Sequence, residues 1–160
     1  AEFASGNLAG VKVHFEHVIN IIDGRSGDIF GDLNGDGQTQ NPGDDIGVRV
    51  YFEQLLTNIN QAGPQSRNQE FVLGQLDSIL QNNLAELAIA IEQGNKVFAT
   101  DTVEEAQPFI ETVGTQFEIL QNGRDIDENG SIEPLFNEGG IQTIKDTLIT
   151  LIEIPLTTSE

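Results

Sequence analysis

Two short stretches of this chain place oxygen-bearing side chains at alternate positions and then a glycine. Asp32, Asn34 and Asp36 precede Gly37, and Asp125, Asp127 and Asn129 precede Gly130. Counting from Asp32 and from Asp125, the oxygens stand at positions one, three and five and the glycine at six. That is the first half of a helix-loop-helix calcium loop, because a hard cation gathers about six to eight oxygens and alternate side chains must converge on one point. The glycine permits the sharp turn that makes them converge. The competing reading is a pair of Asp/Asn/Gly-rich turns without an ion, since the same residues favour turns for backbone reasons. Two matches in one short chain, each between helical segments, favour calcium at two sites.

Both loops depart from the twelve-residue form, which ends on a bidentate glutamate. Gly43 and Phe136 stand at position twelve, and the nearest acids come later, Asp44 or Asp45 in the first loop and Glu138 in the second. The reading is a loop lengthened by one or two residues, closed by a carboxylate from the start of the next helix. Position seven, Gln38 and Ser131, donates a backbone carbonyl in the standard loop. Glu133 at position nine is a further candidate ligand, directly or through water.

The chain has a formal net charge of -19, with only seven Lys and Arg among 160 residues. No basic patch can form, which excludes nucleic acid and anionic membrane surfaces as partners. Ten acidic residues fall within Asp28–Asp45 or Asp125–Glu138, so bound divalent cations would offset the densest charge. Cys is absent, which removes disulfides, thiolate metal sites and cysteine nucleophiles. Met is absent too, and a chain without either resists oxidation. With plentiful extracellular calcium, this points to an exported protein at the cell surface or beyond, its signal peptide already removed. No apolar run is long enough to span a membrane.

Hydrophobic periodicity predicts an all-α chain of about five helices. The first runs from Leu8 to Asp23, with Val11, Phe15, Val18, Ile19 and Ile22 as its stripe, and Gly24 ends it. The second covers about Ile46 to Ala62, capped by Asp44 or Asp45 and facing inward through Val50, Leu55, Leu56 and Ile59. A long stretch from Ser66 to Phe98 follows, with inward positions that include Phe71, Leu76, Ile79, Leu80 and Leu87. Asn82, Asn83 and Gly94 are points where it could bend or divide. Thr102 and Glu105 form a capping box for the fourth helix, whose buried face is Phe109, Val113, Phe117 and Leu120. The last runs from Ile141 to Ile154 and is apolar over a wide arc. The expected architecture is a helical bundle with two EF-hand-like, dockerin-like loops at helix corners. Residues 1–7 read as a flexible arm, 8–155 as a single helical calcium-binding domain and 156–160 as a polar tail.

Further residues carry a family resemblance. His14, Glu16, His17 and Asn20, then Gly31 to Gly37, then Asn41 to Asp44, Glu105 to Pro108 and the second loop through Glu138 to Gly140 resemble a helical domain of uncharacterised bacterial secreted and membrane-anchored proteins. The resemblance spans about Val11 to Ile149 and implies no established activity. The pattern often carries a histidine after the paired glycines, whereas here Gly140 leads into Ile141.

The chain's two histidines, His14 and His17, stand three apart on the first helix and so share a face. His14 reads as inside the apolar stripe and His17 at its edge. The pair could hold a transition metal, or supply an axial ligand to haem, though two histidines alone are an incomplete set for zinc. The simpler reading is a buried, hydrogen-bonded His14 beside a partly exposed His17. Catalytic groups are sparse. No triad spacing and no phosphate-binding glycine loop is present, and Glu104 and Glu105 sit where acids favour a helix start.

These observations lead to a non-enzymatic, extracellular calcium-binding module with a structural or assembly role. Its expected partner is itself, in an oligomer or filament, or another cell-surface protein. The alternative is a haem- or transition-metal-binding bundle using His14 and His17. A carbohydrate-associated module is a weaker option, since one Tyr and no Trp leave little for sugar stacking.

Overall fold

The computed structural model describes residues 6–134 and 138–155. Most of the proposed arm, the tail from 156 to 160 and Phe136 at position twelve of the second loop lie outside the described residues. Five helices follow in order, α1 (Leu8–Asp23), α2 (Val48–Gln61), α3 (Arg67–Val97), α4 (Val103–Asn122) and α5 (Ile141–Glu153). Among the described residues there is no strand. The all-helical expectation holds, and helix ends agree with the sequence reading to within about two residues, the usual fraying margin.

The helix ends show why the chain stops and starts where it does. Asn7 caps α1, its side-chain oxygen accepting from Gly10 N at 3.1 Å. At α4, Thr102 Oγ1 accepts from Glu105 N, while Glu105 Oε2 reaches back to Asp101 N, one residue earlier than a standard capping box. Gly24 and Gly123 follow α1 and α4 with φ of 71° and 85°. A Cβ at Gly24 would run into the Ile46 carbonyl, and one at Gly123 into the Glu138 carbonyl. Only glycine can turn the chain there.

The chain groups into two compact units, Ala1–Tyr51 with Leu87–Phe117 and Phe52–Glu86 with Glu118–Glu160. In the first, Val11 and Phe15 of α1 pack with Val97 of α3 and with Ala106 and Val113 of α4. Lys12 Nζ donates to the carbonyls of Phe98 and Thr100, a cation on the oxygen-rich end of α3. In the second, Ile59 of α2, Leu76, Ile79 and Leu80 of α3 and Ile144 of α5 form the core. Each unit carries one of the two loops.

The long third helix does not divide. Asn83 is buried within it, its Nδ2 donating to Ile79 O one turn back and to Gly139 O. Gly94 is a packing residue: a Cβ there would stand 3.2 Å from Ile19 Cδ1, and Phe15 lies almost as close. Phe71 and Phe117, expected inside, are 58% and 39% exposed, while Gln116 turns inward. Ile149 and Ile152 on α5 are also exposed.

Gly123 in its turn and Gly74 in α3 should therefore respond oppositely to substitution. Gly123→Ala should destabilise the protein by about 1–3 kcal/mol, the usual cost of forcing a side chain into a left-handed position. Gly74→Ala in α3, with open space around the site, should stabilise it by about 0.5–1 kcal/mol. Urea denaturation followed by circular dichroism reads both.

Candidate metal centres at two helix corners

α1 is amphipathic in an unusual sense, because its inward side also carries Glu16, Asn20 and Asp23, all buried. Their spacing of four and three residues aligns them one above another on the helix. Glu16 is fully buried, and its Oε2 accepts from Leu33 N at 3.0 Å and Asn34 N at 3.1 Å. Its Oε1 accepts from Gln40 N at 2.6 Å. Asn20 donates to the carbonyls of Gly31 and Gln40 and accepts from Gly31 N. Asp23 accepts from Ile29 N and pairs with Arg49 at 3.1 Å. The first loop is thus laid along a polar stripe of the preceding helix.

Within that loop the side chains fold back on the backbone. Asp32 accepts from the N–H groups of Gly35, Asp36 and Gly37. Asn34 Oδ1 accepts from Asp36 N, and Asp36 Oδ1 from Gln38 N. These short turns tie the side-chain oxygens of positions one, three and five to the loop's own backbone.

The second loop repeats this arrangement. Asp125 accepts from Asn129 N and Gly130 N, Asp127 from Asn129 N, and Asn129 from Ser131 N. Its buried carboxylate is Glu138, whose Oε1 accepts from Ile126 N at 2.8 Å and Asp127 N at 3.1 Å. Glu138 Oε2 accepts from Glu133 N at 3.2 Å. Glu16 and Glu138 therefore take the same three donors, the N–H groups at positions two, three and nine. One glutamate comes from the helix before its loop and the other from the residues before the next helix.

Asp44 and Asp45 are engaged elsewhere. Asp44 accepts from Ile46 N and from the Tyr51 hydroxyl at 2.6 Å. Asp45 pairs with Arg25 at 2.9 Å and accepts from Asn41. Asp45 and Glu138 are both the fourteenth residue of their loops. Their carbonyls do the same work, accepting from Arg25 N and Arg124 N at 2.8 Å. Only their side chains part company, and Glu16 takes the place beneath the first loop that the side chain of Asp45 leaves. Sequence reasoning passed over Glu16 because it lies sixteen residues before Asp32. The signal for it was a charged residue next to Phe15 on the inward side of α1.

Asp125, Asp127 and Glu138 each offer an oxygen within 4.8 Å of the others, a cluster with the composition to hold a metal ion. Like charges at that separation repel, so a cation would relieve the loop. Burial pushes the Glu138 carboxyl up, but the N–H groups of Asp127, Glu133 and Ile126 outweigh it and hold the group below its ordinary value. Glu133 joins through its backbone N–H. Gln38 and Ser131 are exposed.

His14 is exposed, which corrects its placement within the apolar stripe. Val11, Phe15, Ile19 and Ile22 take the inward face and leave it outside. The His14 and His17 rings meet edge-on at 5.9 Å. His17 is half-buried, with Nε2 2.9 Å from Gln40 Oε1, and Gln40 Nε2 donates to Asp36 Oδ2. His17 thus belongs to the hydrogen-bond network of the first loop.

Comparison with known proteins finds no matching family model, curated protein or solved structure. The functional reading therefore rests on the geometry of the two corners.

Two measurements test that geometry. Glu16→Ala should leave three part-buried N–H groups without their acceptor and cost at least about 2 kcal/mol in urea denaturation, while Asp45→Asn, which removes an exposed ion pair and tolerates the left-handed φ of 69° there, should cost less than about 1 kcal/mol. The Asp44 hydrogen bond raises the Tyr51 pKa above its ordinary value of 10.0, with burial and the Asp44 charge adding to it, and Tyr51 in turn lowers that of Asp44. The folded state thus favours neutral Tyr51. That stability is present below the unfolded pKa and lost as pH rises through the folded one. Ultraviolet titration of the single tyrosine should show a raised midpoint that falls back in Asp44→Asn.

Proposed function

We propose that this chain is a calcium-binding helical module in which two ions tie helix corners together, serving a structural role outside the cell. The observation that carries this reading is the repeated cradle. Two loops of unrelated flanking sequence each lie over a buried glutamate that accepts from the N–H groups at positions two, three and nine, and in the second loop Asp125, Asp127 and Glu138 bring oxygens within 4.8 Å of one another. Calcium suits an all-oxygen site with carboxylate, amide and backbone donors better than softer metals, which prefer nitrogen or sulfur. In this reading Asp32, Asn34, Asp36 and the Gln38 carbonyl serve the first ion. Asp125, Asp127, Asn129 and the Ser131 carbonyl serve the second, and Glu16 and Glu138 close the two sites.

The acidity of the chain supports the same reading. With 26 Asp and Glu against seven Lys and Arg, the empty loops oppose folding and the filled loops favour it. Weak sites of this type fill where calcium is plentiful, as it is outside cells. No described helix is long and apolar enough to cross a membrane. Self-association is the assembly role we propose, and Ile152, 81% exposed on α5, is the apolar group it would cover.

Elemental analysis and calorimetry of protein stripped of metal and returned to calcium test the reading. Binding of two calcium ions per chain is expected, with Glu138→Gln losing the second site and keeping the first. At a calcium concentration one hundred times Kd, each site should add about 2.7 kcal/mol to unfolding stability. Failure to bind calcium, or an unchanged melting temperature on chelation, would overturn it. A stoichiometric transition metal or haem would move attention to His14 and His17.

A further inference from the structure

Three asparagines stand directly before glycine, Asn34 and Asn129 in the loops and Asn122 at the end of α4. Such pairs are chemically labile. The glycine nitrogen attacks the asparagine Cγ, the bond from Cγ to Nδ2 breaks, and Nδ2 leaves as ammonia with the proton of the attacking nitrogen. Water then opens the resulting succinimide at either carbonyl, giving aspartate or isoaspartate. Glycine promotes the attack because no Cβ hinders its nitrogen.

The two loop asparagines are alike in most respects. Each side-chain oxygen accepts from a backbone N–H two residues on, Asn34 from Asp36 at 2.9 Å and Asn129 from Ser131 at 2.8 Å. Each following glycine donates its N–H to the carboxylate at position one, at 2.8 Å in both cases. Gly35 and Gly130 are both exposed and left-handed, with φ of 78° and 88°. The difference lies at the leaving nitrogen. Asn129 Nδ2 donates to Asp127 Oδ2 at 3.1 Å, whereas Asn34 Nδ2 is shielded and has no hydrogen-bond partner. Asn122 is held differently again, in the last turn of α4, where Gly123 N donates to Ile119 O at 2.7 Å.

We propose that Asn34 is a site of spontaneous deamidation, the reactive one of the three. To reach the attack geometry, Asn129 must give up a hydrogen bond to a carboxylate, which Asn34 never made. A bond of that kind is worth roughly a tenfold difference in rate. The product changes the first loop at its third position. Aspartate there gives it the residue type that Asp127 provides in the second loop, and isoaspartate adds a methylene to the backbone and breaks the alternation of ligands. A bound cation holds Asn34 Oδ1 and slows the reaction, a consequence that rests on the calcium reading.

The test is to incubate the full chain in mildly alkaline buffer at body temperature, with calcium or with chelator, and follow each asparagine by peptide mass and isoaspartate content. In chelator, Asn34 should gain the one-dalton shift about tenfold faster than Asn129, with Asn122 slower than Asn34. Asp127→Ala, which removes the acceptor of Asn129 Nδ2, should bring Asn129 toward the Asn34 rate. Asn129 or Asn122 matching or leading Asn34 in the parent protein would overturn the proposal, as would no reaction at Asn34. The parent rank order decides it even where Asp127→Ala loses its helical circular dichroism. Calorimetry on the same sample separates the two readings. Calcium that binds without slowing Asn34 refutes the protection alone. Calcium that does not bind refutes the calcium reading, and the order in chelator still decides the site.

Discussion

A carboxylate taken out of water must be met by donors that replace its hydration. Glu16 and Glu138 meet that condition in the same way, each with three backbone N–H groups and 1% exposure or less. The reverse also holds. The backbone at positions two, three and nine of each loop has no strand or helix to pair with, and its N–H groups need an acceptor. The glutamate and the loop thus satisfy one another. Remove either and the other loses its hydrogen-bond partners. The curvature of the loops, the direction of their oxygens and the entry into α2 and α5 all follow from that mutual requirement.

The two corners reach this arrangement by different routes. In the second, the fourteenth residue supplies both a carbonyl for Arg124 and a carboxylate for the loop. In the first, seven residues separate Gly24 from Asp32, where only Arg124 separates Gly123 from Asp125. The longer connection carries the first loop back along α1, away from Asp45. A residue of α1 then becomes the nearest source of a carboxylate, and Glu16 and Asn20 occupy helix positions that would ordinarily be apolar. The side chain of Asp45, no longer needed beneath the loop, pairs with Arg25 at the surface.

Much of this was legible in the sequence. Alternating oxygens before a glycine identified both loops, and helical periodicity placed all five helices, because each signal is local. What was not legible depends on contacts distant in sequence. Glu16 reads as one more acid in an acidic chain until the loop is seen to fold back over it. His14 reads as inward from its neighbours Val11 and Val18, yet the α1 stripe is centred on Val11, Phe15, Ile19 and Ile22 and leaves it exposed. Phe117 and Gln116 illustrate the same limit in α4, where neighbours a third of a turn apart exchange inside for outside. Gly94 reads as a weak point of a long helix and is instead where Ile19 and Phe15 press closest. Side-chain volume decided that glycine, and volume is invisible in a one-dimensional pattern.

The charge of the chain acquires a physical meaning in this light. Acids spread over a surface would only raise solubility. Here ten of them fall within the two loop segments, where side-chain oxygens accept from the backbone N–H groups of short turns. In the calcium reading we propose, ligands held this way would lose less entropy on ion binding. Holding them so also concentrates like charges, which opposes the same arrangement without an ion. The buried glutamate resolves part of that conflict by giving the loop a partner that is present whether or not a cation is. In that proposed reading, a corner built this way keeps its shape through backbone hydrogen bonds, and an ion filling it would add stability to a fold already in place.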